Sequence, residues 1–133
     1  MPRLFAAGPF DVKLHPQQDD PATAGPFGRM LLDKHFHGDL EGTSNGQMLA
    51  GRTAVADSAA YVAMEAVTGT LHGRRGTFML SHVGIMNRGV ASLTVSVVPD
   101  SGTDELVGLS GELQIIIEGG KHSYHFDYTS DQA

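Results

Sequence analysis

The chain has no cysteine, which excludes disulfide bonds and thiolate chemistry. It has no tryptophan either, and few cations: 9 Lys+Arg stand against 15 Asp+Glu, for a net charge of −6. No basic run extends beyond Arg74-Arg75. Nucleic-acid affinity needs several phosphate-neutralising cations on one face, so that class of partner is not expected. No apolar run approaches the roughly 18 residues that span a bilayer, so no membrane partner is expected. The apolar patch within Met1–Ala7 is too short for the core of a secretory signal and Pro9 follows it closely, which leaves a cytoplasmic location as the default expectation. No strand–glycine-loop–helix context exists for a nucleotide phosphate, and no Gly-x-Ser-x-Gly elbow occurs. No cofactor is expected.

What the chain does have is glycine and a strand rhythm. Glycine accounts for 17 of 133 residues, about twice the usual share. With 41% hydrophobic and 18% charged residues the composition is globular, and the length suits one domain, residues 1–133. From Thr43 onward, short β-branched and aromatic runs alternate with glycine-containing breaks, as in Gly69-Thr70-Leu71-His72-Gly73-Arg74-Arg75-Gly76-Thr77-Phe78. No stretch reads as a long helix.

Residues 1–8 read as a loose leader. Gly8–Leu14 alternates Phe10, Val12 and Leu14 with Asp11 and Lys13, the pattern of a half-buried strand. The proline-bearing stretch 15–27 reads as a loop. Further strands are expected at Gly28–Leu40, broken by Gly42, and at Thr43–Thr53, Ala59–Leu71, Thr77–Met86, Ala91–Val98, Gly111–Glu118 and Lys121–Tyr128. Ala59–Val67 is alanine-rich enough for a short helix. Its β-branched Val62, Val67, Thr68 and Thr70, with a hairpin following directly, favour strand. Gly119-Gly120 is a two-residue hairpin signal.

The expected architecture is therefore all-β, a closed eight-stranded antiparallel meander barrel. Successive hairpins must dispose of their edges, and closure does so completely. Eight strands leave an interior just wide enough for side chains or one small ligand. A two-sheet sandwich is the alternative from strand count alone.

Several segments together resemble a small bacterial family of unknown function. They are Gly38-Asp39-Leu40-Glu41-Gly42-Thr43-Ser44, Glu65 through Arg74, Ser92-Leu93-Thr94-Val95, Gly102 through Gly111 and Lys121-His122-Ser123-Tyr124. The likeness covers roughly Phe10 to Tyr128. It implies an allene oxide cyclase-like, calycin-like barrel. Related barrels include cyclases and isomerases of lipid-like or polyketide substrates. The family has no established reaction, so no catalytic residue carries over.

The candidate chemistry comes from strand parity. Phe78, Leu80 and His82 share one face of their strand, which places the His82 imidazole among apolar side chains as a possible base. The plain alternative is a hydrogen-bonded core histidine. Tyr61 and Glu65 share a parity on the preceding strand and would complete an acid/base cluster with His82 if both point inward, although a solvent-facing Glu65 is the commoner outcome. Lys34 shares its face with Met30 and Phe36. It would pair with Glu65, serve as a reactive amine, or simply hold a structural ion pair. Tyr124, Phe126 and Tyr128 form an aromatic stripe, core by default and ligand-facing at a barrel mouth.

His35 and His37 share a strand face at a metal-compatible spacing. They would need a third ligand such as His122, His125, Asp33 or Asp39, so they read as solvated surface histidines, with no metal expected.

The expectation is a binding barrel for a small apolar or amphipathic ligand. Lys34, Phe36, Phe78, Leu80, Tyr124 and Phe126 would line the ligand, and His82, Glu65 and Tyr61 would be the residues able to move a proton. A cofactor-free isomerase or cyclase and an oligomeric interaction module are the rivals, with a homo-oligomer expected through the outer faces.

Overall fold

A computed structural model describes residues 2–131. Eight antiparallel strands follow one another around a closed barrel: β1 Leu4–Pro16, β2 Phe27–Phe36, β3 Leu40–Arg52, β4 Ala59–Leu71, β5 Arg74–Asn87, β6 Val90–Val97, β7 Ser110–Glu118 and β8 Lys121–Thr129. The only helical pieces among the described residues are α1, Pro21–Ala24, and a 3-10 turn at Asp104–Leu106. β1 returns to pair with β8, from Leu4 opposite Tyr128 to Phe10 opposite His122. The sandwich alternative is thereby excluded, and Ala59–Leu71 is strand throughout.

Three local expectations need correction. Residues 4–8 are strand rather than leader, because β8 supplies their hydrogen-bond partners and Ala6 is fully buried. Within 15–27, His15 and Pro16 end β1, residues 21–24 form α1 under an Asp20 side-chain cap, and Phe27 opens β2. The Gly28–Leu40 strand ends at Phe36, since the chain turns through residues 37–39 and Leu40 already belongs to β3. Tyr124 pins that turn. Its hydroxyl accepts the Leu40 N–H and donates to the His37 carbonyl, each at 2.8 Å.

Gly42 does not break a strand. It pairs with Gly69, which pairs with Gly76, so three glycines lie side by side across β3, β4 and β5. A Cβ on Gly42 or Gly69 would collide with the backbone of the other's strand, and one on Gly76 with the Thr103 carbonyl. Only a bare backbone lets the sheet curl this tightly. The barrel closes at this end, where Leu106 and Leu109 enter from the 3-10 turn and its following residues as a plug.

The inward faces divide at mid-height. In the closed half, Phe10, Phe36, Leu40, Val67, Leu71, Phe78, Leu80, Tyr124, Phe126 and Tyr128 pack into one buried cluster. At the other end, residues of the same inward parity are exposed: Leu14 50%, Met86 39%, Leu93 43% and Ile117 63%. β6 and β7 also separate on this side, sharing the single registered pair Ser96–Glu112.

Candidate functional site

At mid-height sits a buried polar cluster. Glu65 of β4 is its centre. Oε2 accepts from Lys34 Nζ of β2 at 2.8 Å and from His82 Nε2 of β5 at 2.6 Å, while Oε1 accepts from Ser44 Oγ of β3 at 2.8 Å. All four side chains are buried. Period-2 alternation delivers them, because each strand contributes a residue of inward parity. Register then brings them together: Ser44 pairs with both Lys34 and Val67, and Ala63 pairs with His82.

The electrostatics follow from who donates. Burial alone pushes the Glu65 carboxyl up. The His82 hydrogen bond and the Lys34 ammonium outweigh it, and the pKa falls from 4.5 to about 2. Glu65 is thus an ionised acceptor at neutral pH, and the His82 Nε2 must carry the proton between them. Lys34 is further held over two aromatic faces, 5.3 Å from the Phe10 ring centre and 5.9 Å from that of Phe36. His82 Nδ1 makes no hydrogen bond to a described residue, and the side chain is 3% exposed.

The open half lies beyond His82. An apolar hollow of about 300 Å³ is lined there by Met48, Ala50, Tyr61, Gly84, Met86 and Leu93. Gly84 and His82 are successive inward positions of β5. A Cβ on Gly84 would strike the Tyr61 ring, so glycine here lets that ring lie flat across β5. Burial raises the Tyr61 phenol, and the Glu65 charge raises it further.

Lys34, Glu65 and His82 therefore come together as a hydrogen-bonded unit. Tyr61 stands in the hollow and makes no hydrogen bond to them. Phe36, Phe78, Leu80, Tyr124 and Phe126 are fully buried against one another in the closed half. Ser44 was missed. Its inward parity with Met48 was readable, but its partner depended on the β2–β3 register. Met48 and Leu93, in the wall of the hollow, were also not singled out as site residues, because flexible apolar residues carry no chemical signature.

A second groove, of about 720 Å³, runs over β3–β5; its lining is mostly the outward Leu49, Val62, Met64, Met79 and Val83, and it also takes in Glu65 and His82. The outward residues of β4 are Ala60, Val62, Met64, Ala66, Thr68 and Thr70, with no charge among them.

Fold and site together define a closed β-barrel with one packed half, one open half and a buried ion cluster between them. Residues 6–128 match the family described as "Protein of unknown function (DUF3224)", and the chain belongs to that family. The crystal structure of a DUF3224 protein of unknown function from Shewanella oneidensis MR-1 is similar to it at a TM-score of 0.91 and 47% identity, covering 99% of this chain and 100% of that one. No curated protein matches the chain. No helix among the described residues is long and apolar enough to cross a membrane.

Proposed function

We propose that the barrel binds a small apolar or amphipathic molecule in its open half, with the ligand's polar end toward His82. The observation that carries this reading is the apolar hollow that begins at Gly84, one inward position along β5 from the buried His82 imidazole. With Nε2–H donated to Glu65, Nδ1 is the ring's remaining polar atom, which suits a hydroxyl group able to donate or accept. Lys34 is neutralised by Glu65 and is not offered to the ligand, so a medium-chain alcohol fits better than a carboxylate.

The test uses 1-anilinonaphthalene-8-sulfonate as a fluorescent probe, displaced by 1-decanol. Wild-type protein binds the probe, and decanol releases it. Gly84→Leu, which fills the hollow, abolishes the displaceable signal, while Val62→Glu on the outer face preserves it. Displaceable binding that survives Gly84→Leu refutes the reading.

The His82–Glu65 dyad supports a second reading, a cofactor-free isomerase or cyclase. A carboxylate that fixes the imidazole tautomer leaves Nδ1 poised as a base, and an apolar wall holds a flexible substrate in a reactive shape. The uncharged outer face of β4 supports self-association: a protein of net charge −6 meets its own copy at least cost where it carries no charge. Val62→Glu would then lower the mass measured by light scattering to that of a monomer.

A further inference from the structure

Outside the barrel, at its closed end, we infer a binding site for a divalent transition-metal ion, Zn²⁺ by ligand chemistry, held by His35, His37 and Glu41. The outward face at the end of β2, the turn after it and the start of β3 bring the three side chains to one spot, with a ligand atom of each within 4.8 Å of the others. Glu41 completes the set, whereas the sequence pointed to solvated histidines with no metal and offered only His122, His125, Asp33 or Asp39 as a third ligand. His122 packs on Phe10 and His125 on Phe5, while the Asp39 carboxylate accepts the Ala7 N–H.

The distances fit coordination better than hydrogen bonding. His35 Nε2 and His37 Nδ1 each lie 3.5 Å from the same oxygen, Glu41 Oε2. That is long for a hydrogen bond. It is close to the roughly 3.4 Å separating two ligand atoms of a tetrahedral zinc ion with bonds of about 2.0–2.1 Å. The two imidazole rings stack with centres 4.2 Å apart, which turns both nitrogens toward Glu41.

The surroundings are built for the same purpose. His37 Nε2 lies 3.1 Å from Asp11 Oδ2. That contact turns the ring so that Nδ1 faces Glu41. The carboxylate–histidine pairing is the one that orients metal-bound imidazoles. Glu41 Oε1 in turn accepts the Gly38 N–H at 3.3 Å, which holds its other oxygen toward the rings. Two nitrogens and one carboxylate oxygen suit Zn²⁺ and leave a fourth position for water or an incoming ligand. All three side chains are partly exposed, so the ion enters without opening the fold.

The test is titration calorimetry with Zn²⁺ on metal-stripped protein, paired with Co²⁺ absorption to read geometry. One ion per chain binds, and Co²⁺ develops the intense visible bands of a tetrahedral site. His37→Ala and Glu41→Gln each weaken binding at least tenfold, Asp11→Asn weakens it about tenfold, and His125→Ala leaves it unchanged. Zn²⁺ also raises the Tm of the wild type and not that of Glu41→Gln. The site is refuted by the absence of stoichiometric binding. It is equally refuted by binding indifferent to Glu41→Gln, which would mark an adventitious histidine pair. Circular dichroism confirms that each variant, altered at an exposed position, is folded.

Discussion

The two halves of the lumen are built by the same eight strands on the same alternation, yet one is filled and the other is open. In the closed half the inward positions carry Phe36, Phe78, Phe126 and three buried leucines, Leu40, Leu71 and Leu80, and the glycine row Gly42–Gly69–Gly76 draws the strands together around them. In the open half the inward positions of β3, β4 and β5 carry Met48, Ala50, Ala59, Tyr61, Ala63, Gly84 and Met86. Three alanines and a glycine among them leave an eight-stranded interior underfilled there. The comparison teaches that binary pattern closes a barrel, while side-chain volume at each level decides whether it encloses anything. The Lys34–Glu65–His82 cluster marks the boundary.

The strongest way to break the comparison is truncation on either side of it. Phe78→Ala in the closed half leaves a cavity and is expected to cost about 4 kcal/mol, against about 1 kcal/mol or less for Met48→Ala, which is only partly buried. Urea unfolding checks both, and equal costs would erase the distinction between the halves.

Next comes the boundary itself. Glu65→Gln leaves the Lys34 ammonium buried without its counter-charge and is expected to destabilise by about 3 kcal/mol at pH 7. Replacing Lys34 and Glu65 together by Met and Leu recovers most of that loss, because a buried pair is balanced by its own desolvation. The same urea series on both variants reads the difference.

Acid titrates this carboxylate selectively. Its pKa is lower in the folded state, about 2, than the ordinary 4.5. Its ionised form therefore stabilises the fold above pH 4.5, and that contribution drains away as pH falls from 4.5 to about 2. The full loss is about 3 kcal/mol. Stability measured across this window falls more steeply in wild type than in Glu65→Gln. Parallel curves would place the carboxylate outside the buried cluster.

The smallest expected effect sharpens the open half. Gly84→Ala pushes on the Tyr61 ring and costs about 1–2 kcal/mol, with a larger proportional loss of probe binding. Fluorescence titration beside urea unfolding separates the two.

Much of this was legible beforehand because it is local. The β4–β5 and β7–β8 hairpins announce themselves through His72-Gly73 and Gly119-Gly120, and the shared face of Phe78, Leu80 and His82 is visible in alternation; the face of Glu65 was not, because Val62, Met64 and Ala66 on the opposite parity are equally apolar. Residues 4–8 were misread because Ala6, Ala7 and Gly8 carry no strand signature of their own; their partner lies more than a hundred residues away. Gly42 was misread as a break because a glycine that admits a neighbouring backbone looks the same, in one dimension, as a glycine that turns the chain.

By itself the sequence determined strand number, antiparallel hairpin order and which side chains share a strand face, since these follow from period-2 patterning and turn chemistry within a few residues. Only the tertiary structure decided that Ser44, Lys34 and His82 meet on one carboxylate, that Glu41 joins His35 and His37, and that half the lumen stays open. Contacts across strands depend on register and curvature, which arise from packing summed over the whole barrel and have no local code.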